Sequence, residues 1–173
     1  MLMSPRVRRF ALTAHVASSV GWFGAVAAFL ALAVVGLTSA DSQTIRAVYL
    51  VMESVAWLTL VPLAFASLLT GVVQSLGTVW GLFRHYWVLF KLLITVLATI
   101  ILLIYMQTFR LMAVVARDPA ADLDVVRNAS PGLHATLALL ALLTATILAV
   151  YKPRGMTRYG WRKQHEQGMI PTP

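Results

Sequence analysis

Residues 81–110 read GLFRHYWVLFKLLITVLATIILLIYMQTFR, and this stretch decides the fold. It is typical of one long hydrophobic helix that carries a lysine, Lys91, inside its apolar run. A lone cation near the bilayer centre costs about 2.5–3.5 kcal/mol to insert. Four further side chains share the helical face of Lys91, because steps of three and four residues return to the same side. They are Thr95, Thr99, Met106 and Arg110.

The composition of the whole chain indicates an integral membrane protein. Of its 173 residues, 60% are hydrophobic and 12% are charged, which leaves too little polar side chain to cover a soluble surface. The chain has no cysteine, so disulfides, thiolate metal sites and iron–sulfur clusters are excluded. The net charge is +8, but the basic residues cluster at segment ends without aromatic interleaving. This pattern indicates membrane topology and argues against a nucleic-acid partner.

Four long apolar segments predict an all-α fold, an integral membrane protein built as an antiparallel four-helix transmembrane bundle. About 20 apolar residues suffice to cross a hydrocarbon core about 30 Å thick, and short connections favour neighbours that run up and down in turn. One domain is expected over residues 1–173. The spans are expected at residues 10–37, 45–75, 82–115 and 133–151, followed by an irregular basic cytoplasmic tail at 152–173.

Local signals add detail to this outline. Pro62 predicts a kink in the second span, since proline cannot donate a helical hydrogen bond. Asp118 followed by Pro119 predicts a short surface helix in the loop at residues 117–132. Most Lys and Arg residues flank the two termini and the second connection, whereas the other connections carry four Asp residues. The positive-inside rule therefore places both termini in the cytoplasm.

Depth along each span sorts the polar residues into two layers. At 1.5 Å per residue, His15 and Lys91 both lie about 10–12 Å from the bilayer centre on the cytoplasmic side. Thr70 and Gln74 belong to the same inner layer. The outer layer is expected to hold Glu53, His134, Gln107 and Arg110. Ionisable groups inside a membrane are functional candidates by default. A structural alternative is that Lys91 extends to the headgroups and that Glu53 pairs with Arg110 to hold helices together.

Three motifs resemble the CopD/HemJ-like group of bacterial four-to-five-helix membrane proteins. They are HVASSVGWFGA at residues 15–25, YWVLFKLLI at 86–94 and HATLALLALL at 134–143. Within that group, the chain resembles an uncharacterised integral membrane family, a domain of unknown function. GLFRHYWVLFKL at residues 81–92 and VYKPRGMTRYG at 150–160 look typical of it. The resemblance implies a multi-pass protein of the bacterial cytoplasmic membrane.

The HemJ-like part of the resemblance implies a haem site. HemJ-type proteins are regarded as haem-binding membrane protoporphyrinogen oxidases, with an essential histidine early in the first helix and an essential lysine later. His15 and Lys91 occupy the matching positions. The resemblance thus implies haem b, with His15 as axial ligand and Lys91 at the haem carboxylates or as an acid/base catalyst. Gln74 and Thr95 are expected beside them as cofactor-binding residues.

Two other classes of function stay open. CopD-type proteins imply copper transport or delivery, with His134 and Glu53 as candidate metal ligands and Met52 or Met106 nearby, while His15 is the candidate metal ligand for haem iron. Cu(I) prefers thiolate or thioether ligands, and only the methionines supply them here. The third class is a non-catalytic scaffold or assembly subunit. The expected partners are membrane lipids, haem or a porphyrin, and a second copy of the chain.

Overall fold

The computed structural model describes residues 3–78 and 80–168. Within these residues all the regular secondary structure is helical, and a single isolated antiparallel bridge joins His85 and Met156. The helices are α1 (Pro5–Thr38), α2 (Ser42–Val55), α3 (Val61–Leu76), α4 (Tyr86–Arg117), α5 (Ser130–Tyr151) and α6 (Arg158–Gly168). A π-helical turn at Ala56–Leu60 joins α2 to α3, and a 3-10 turn at Leu123–Val125 precedes α5.

Four helical segments are long and apolar enough to cross a membrane, as the hydropathy pattern predicts. They are Pro5–Thr38, Ser42–Leu76, Tyr86–Arg117 and Leu123–Tyr151. Each contains most of the corresponding predicted span, and their ends differ from the prediction because caps and turns, not hydropathy, end a helix. This is the character of a multi-pass membrane protein. The antiparallel order of the spans and the cytoplasmic location of the termini stay predictions.

The second span is irregular just before Pro62. The ring of a proline clashes with the carbonyl group four residues earlier, which here belongs to Leu58. The π-helical turn at Ala56–Leu60 contains that residue. A wider turn of this kind is found most often as a single interruption of an α-helix, and here it joins α2 to α3 without a break in the helical path.

The predicted surface helix that begins at Pro119 is wrong. The loop contains only the 3-10 turn at Leu123–Val125, which the side chain of Asp122 caps. The reason lies on α2, where the guanidinium of Arg46 donates to the carbonyl oxygens of Pro119 at 3.1 Å and Ala121 at 2.9 Å. These carbonyls would be acceptors inside an α-helix, so their bonds to Arg46 replace helical ones.

The prediction of an irregular tail is also wrong for the residues described, because α6 forms there. Thr157 is its N-cap: the hydroxyl oxygen accepts the Gly160 N–H at 3.0 Å and donates to the Phe83 carbonyl at 2.6 Å. The N–H of Thr157 donates to the Arg84 carbonyl at 3.0 Å, and the N–H of Tyr86 donates to the Gly155 carbonyl at 3.3 Å. The tail is therefore fixed to the connection between α3 and α4.

One end of the bundle gathers the basic residues. The N–H of Met3 donates to the Gly77 carbonyl at 3.2 Å, so the start of the chain, the α3–α4 connection and the tail lie together. We call this the basic end. Nine of the 14 Lys and Arg residues belong to it: Arg6, Arg8, Arg9, Arg84, Lys152, Arg154, Arg158, Arg162 and Lys163.

The apolar core lies farther along the bundle, where α1, α2, α4 and α5 pack. Its largest fully buried side chains are Trp22, Tyr49 and Met52. Glycine lets the helices approach closely: a Cβ atom at Gly36 would lie 3.3 Å from ring and methyl carbons of Tyr49 and Val48. Packing of this kind, with small residues at the contact, stabilises helix pairs in lipid, where no hydrophobic force acts between them.

We expect Gly160→Ala to undock α6, because a Cβ atom at Gly160 would clash with the carbonyl oxygen of Arg84. Limited trypsin digestion measures this, since Arg158, Arg162 and Lys163 become cleavable once the helix frays. We expect cleavage at least about tenfold faster than in the parent chain. This corresponds to a change of about 1.4 kcal/mol in the free energy of opening α6. Gly24→Ala is the matched control, because no atom lies within 4 Å of the added carbon. Equal cleavage rates in the two variants would contradict the docking.

Candidate functional site between helices α1, α3 and α4

His15 on α1 and Lys91 on α4 are in direct contact. The ammonium nitrogen Nζ of Lys91 lies 2.9 Å from Nε2 of His15, and His15 is only 9% exposed. The two residues therefore share a layer, as the depth estimate predicts. Their pairing joins the first and third spans across the bundle.

The hydrogen bonds around His15 define one directional chain. An ammonium group only donates, so Nε2 of His15 accepts from Lys91, and Nδ1 carries the ring hydrogen. Nδ1 lies 3.1 Å from the hydroxyl of Thr70 on α3. That hydroxyl in turn donates to the carbonyl of Ala66. The chain therefore engages both ring nitrogens of His15 and fixes the tautomer of the imidazole.

Small and hydroxyl side chains hold α1 against α3 around this chain. The hydroxyls of Ser19 and Ser67 lie 2.8 Å apart, and the hydroxyl of Ser18 lies 3.4 Å from that of Thr70. A Cβ atom at Gly71 would lie 3.0 Å from Cε1 of His15. Glycine at this position therefore makes room for the imidazole ring.

Lys91 has no carboxylate partner among the residues described. The chain contains six acidic residues. Glu53 pairs with Arg117, Glu166 pairs with Lys163, and Asp41 caps α2. The other three lie in the loop before α5, at positions 118, 122 and 124. Since His15 takes one of the three ammonium donors, Lys91 holds a half-buried positive charge that a neutral ring only partly satisfies.

A cavity of about 90 Å³ lies beside Lys91, between α3 and α4. Its wall includes His15, Gln74 and Thr95, and it extends to Trp80 and Leu82 in the α3–α4 connection. The side-chain oxygen Oε1 of Gln74 is buried and has no hydrogen-bond partner among the described residues. Thr95 donates to the carbonyl of Lys91 at 2.8 Å. We call this space the inner cavity; it is polar at Lys91 and Gln74 and otherwise largely apolar.

The inner cavity does not fit haem b in this arrangement. Pockets for molecules of drug or cofactor size enclose about 300–1,000 Å³, more than the 90 Å³ found here. Both ring nitrogens of His15 are also engaged, Nε2 by Lys91 and Nδ1 by Thr70. An imidazole needs a free nitrogen to ligate iron. Haem binding therefore stays a prediction, and it requires Lys91 to leave Nε2 and the helices to separate.

The expected outer layer does not form one group. Glu53 pairs with Arg117 and not with Arg110; Gln107 and Arg110 are exposed on α4, on a surface that faces lipid if α4 spans the membrane. The physical reason is helical drift: each residue turns the helix by about 100°, so after 19 residues Arg110 lies about 100° around from Lys91. Thr95, Thr99 and Met106 stay closer to its face and are buried.

The contacts of His134 do not involve Glu53. Its Nδ1 atom lies 2.9 Å from the Ser130 carbonyl, and its ring stacks on Tyr105 with 4.2 Å between centroids. Met52 and Met106 are buried in the apolar core. Across residues 3–78 and 80–168, no group of three His, Asp or Glu side chains is placed to hold a metal ion. Copper handling stays a prediction.

Sequence reasoning missed two contributors to the site. Gly71 lies one turn after Ser67 and one turn before Gln74 on the polar face of α3, so its spacing was a usable signal. Ser19 carried no such signal, because its neighbour Ser18 fits the packed face of α1 equally well. Only the rotation of α1 against α3 brings Ser19 to Ser67.

No protein family, curated protein or solved structure matches this chain. The resemblance to the CopD/HemJ-like group therefore stays a prediction, and the function must rest on the geometry of the inner cavity.

We expect Lys91→Met to raise the free energy of unfolding by up to about 2 kcal/mol. Removing a cation from the membrane interior saves at most about 2.5–3.5 kcal/mol, while the lost charge-assisted hydrogen bond to His15 costs about 1.5–3 kcal/mol. Thermal unfolding in detergent measures the change. Lys163→Met is the control, because an exposed ion pair contributes less than about 1 kcal/mol. A stability loss in the Lys91 variant would mean that the cation is part of the packing and not a cost.

Proposed function

We propose that this chain is a membrane-embedded binding protein for a carboxylate-bearing ligand, held by Lys91 in the inner cavity. The observation that carries the proposal is a half-buried ammonium group that lines the inner cavity and has no carboxylate partner among the described residues. Buried charges are normally paired. A site that keeps one charge unpaired is suited to a ligand that brings the opposite charge.

The chemistry of the cavity wall defines the ligand further. Lys91 has two ammonium hydrogens left for a carboxylate, and Oε1 of Gln74 accepts from a hydroxyl or a bound water. The remaining wall includes Leu68, Val88 and Leu92, which suit an alkyl segment. The cavity volume of about 90 Å³ suits a short acid or the acidic end of a larger molecule.

The propionate side chains of tetrapyrroles are one such acidic end. They combine two methylene groups with a carboxylate, and the resemblance to HemJ-type proteins implies ligands of this class. The inner cavity extends to Trp80 and Leu82 at the basic end. In our proposal a propionate enters by this route to Lys91, while the macrocycle stays outside the cavity.

The row of hydrogen bonds from Lys91 through His15 to Thr70 favours a ligand-binding function over a proton-transport function. A proton path needs a donor and an acceptor at both ends that can exchange with water. The chain from Lys91 through His15 and Thr70 ends at the carbonyl of Ala66, which already belongs to α3. The chain therefore orients the imidazole and the lysine beside the cavity.

Binding of protoporphyrin IX and of its dimethyl ester tests the proposal, because the two differ only in the carboxylates. We expect the acid to bind the detergent-solubilised protein at least about tenfold more tightly than the ester, since a charge-assisted hydrogen bond is worth about 1.5–3 kcal/mol. Lys91→Met should lower the affinity for the acid to that for the ester, and Lys163→Met should bind as the parent does. Excess propionate should compete, and propionamide should not.

Two results would overturn the carboxylate proposal. One is equal affinity for the acid and the ester in the parent protein. The other is unchanged affinity of Lys91→Met for the acid, together with the stability gain described above. That second combination would favour the scaffold function, in which Lys91 has no ligand.

Haem b binding through His15, which the resemblance to HemJ-type proteins implies, is the second candidate function; it requires Lys91 to release Nε2 of His15 and the helices to separate. We expect protein purified from haem-replete cells to have a Soret band that His15→Ala abolishes. Lys91→Met should strengthen the band, because it frees Nε2 of His15. Absorption spectra of the three proteins, at matched concentration, measure this. No Soret band in any of them, or a band unchanged in His15→Ala, would exclude His15 as an axial ligand.

A further inference from the structure

A second and larger cavity lies at the basic end, outside the inner cavity. It is an open groove with a volume of about 500 Å³, and it is lined by Tyr86, Met156, Arg158, Trp161 and Arg162. None of these residues lines the inner cavity, so whatever it binds is independent of the proposed function. We call it the tail groove.

The tail groove exists because α6 is fixed against α4. Thr157 caps α6 and bonds the carbonyls of Phe83 and Arg84, and Gly160 allows close contact with the Arg84 backbone. Arg158 and Arg162 are four residues apart, so they lie on the same face of α6 one turn from each other. Both line the groove opposite Tyr86, the first residue of α4.

The groove carries positive charge that the described part of the chain does not neutralise. Glu166 is the only acidic residue at the basic end, and its carboxylate lies 2.8 Å from Nζ of Lys163. Among residues 3–78 and 80–168, no carboxylate lies within ion-pair distance of Arg158 or Arg162. Two arginine side chains with free planar donor faces are thus available in one groove.

The position of the groove relates it to the membrane surface. Tyr86 begins an apolar helix long enough to cross a membrane, so its ring lies at the level where a span meets water. Tyr86 and Trp161 are 49% and 57% exposed, and aromatic rings of this kind concentrate at the headgroup level of a bilayer. Met156 adds an apolar contact next to them.

We propose that the tail groove binds the headgroup of an anionic phospholipid. Arg158 and Arg162 hold the phosphate, because guanidinium groups match phosphate oxygens with two parallel hydrogen bonds. Tyr86, Trp161 and Met156 contact the glycerol and the first acyl carbons. Charge complementarity selects the occupant, since anionic lipids collect where basic residues lie beside a span. The groove thereby ties α6 to the membrane surface.

Native mass spectrometry of the full chain in detergent tests this proposal, with phosphatidylglycerol and phosphatidylcholine as competing probes. We expect the parent protein to retain phosphatidylglycerol preferentially. Arg158→Gln combined with Arg162→Gln should lower its affinity by roughly twenty-five-fold, since each basic residue near the surface contributes about fivefold. Arg6→Gln combined with Arg8→Gln is the matched control, because these arginines lie at the same end and outside the groove; it should bind as the parent does.

Arg162→Gln alone separates loss of lipid contacts from undocking of α6, because it leaves the Thr157 cap and its neighbour Arg158 in place. The protection of α6 from trypsin should stay unchanged, and the affinity for phosphatidylglycerol should fall about fivefold. The proposal is overturned if this variant binds phosphatidylglycerol as the parent does. It is also overturned if the Arg6 and Arg8 control loses as much affinity as the groove variant. A third contrary result is that glycerol 3-phosphate competes as well as the lipid, which would make the site one for a free phosphate.

Discussion

The hydrogen bond between Lys91 and His15 is the interaction on which the chemistry of the inner cavity depends. It places an ammonium group 2.9 Å from a neutral ring nitrogen in a region where no carboxylate of the described chain reaches it. The bond fixes the tautomer of His15, and through Thr70 it sets α1 against α3. Since an imidazole satisfies one donor and neutralises no charge, the remaining donors define what the inner cavity can accept.

The α3–α4 connection links the two cavities of the molecule. Trp80 and Leu82 form part of the inner cavity wall, while Phe83 and Arg84 hold the cap of α6. Lys152 lies 5.3 Å above the ring of Trp80, so the chain leaving α5 also contacts this connection. The inner cavity and the docking site of α6 therefore lie on the same short connection, although no described residue lines both cavities.

Much of the site could be predicted from the sequence because depth in a membrane is a one-dimensional quantity. Counting 1.5 Å per residue placed His15 and Lys91 at one level, and the structure has them in contact. The rotation of each helix about its own axis is harder to predict from the sequence, because small errors in the turn per residue accumulate along the helix. Over the 19 residues from Lys91 to Arg110 the face drifts by about 100°, and Arg110 and Gln107 leave the packed side. The pairing of Glu53 with Arg117 depends on height instead, because Arg117 lies on nearly the same face as Arg110 but about 10 Å farther along α4.

The sequence by itself determined the four apolar spans and the levels of their polar residues, because hydropathy and helical rise are local properties of consecutive residues. Tertiary structure decided three further features. They are the acceptor that faces Lys91, the loss of the helix after Asp118 to bonds with Arg46, and the order of the tail. Each depends on groups far apart in the chain: Arg46 reaches a loop more than 70 residues away, and Thr157 finds its acceptors at Phe83 and Arg84. Such pairings follow from the packing of whole helices, which no local pattern specifies.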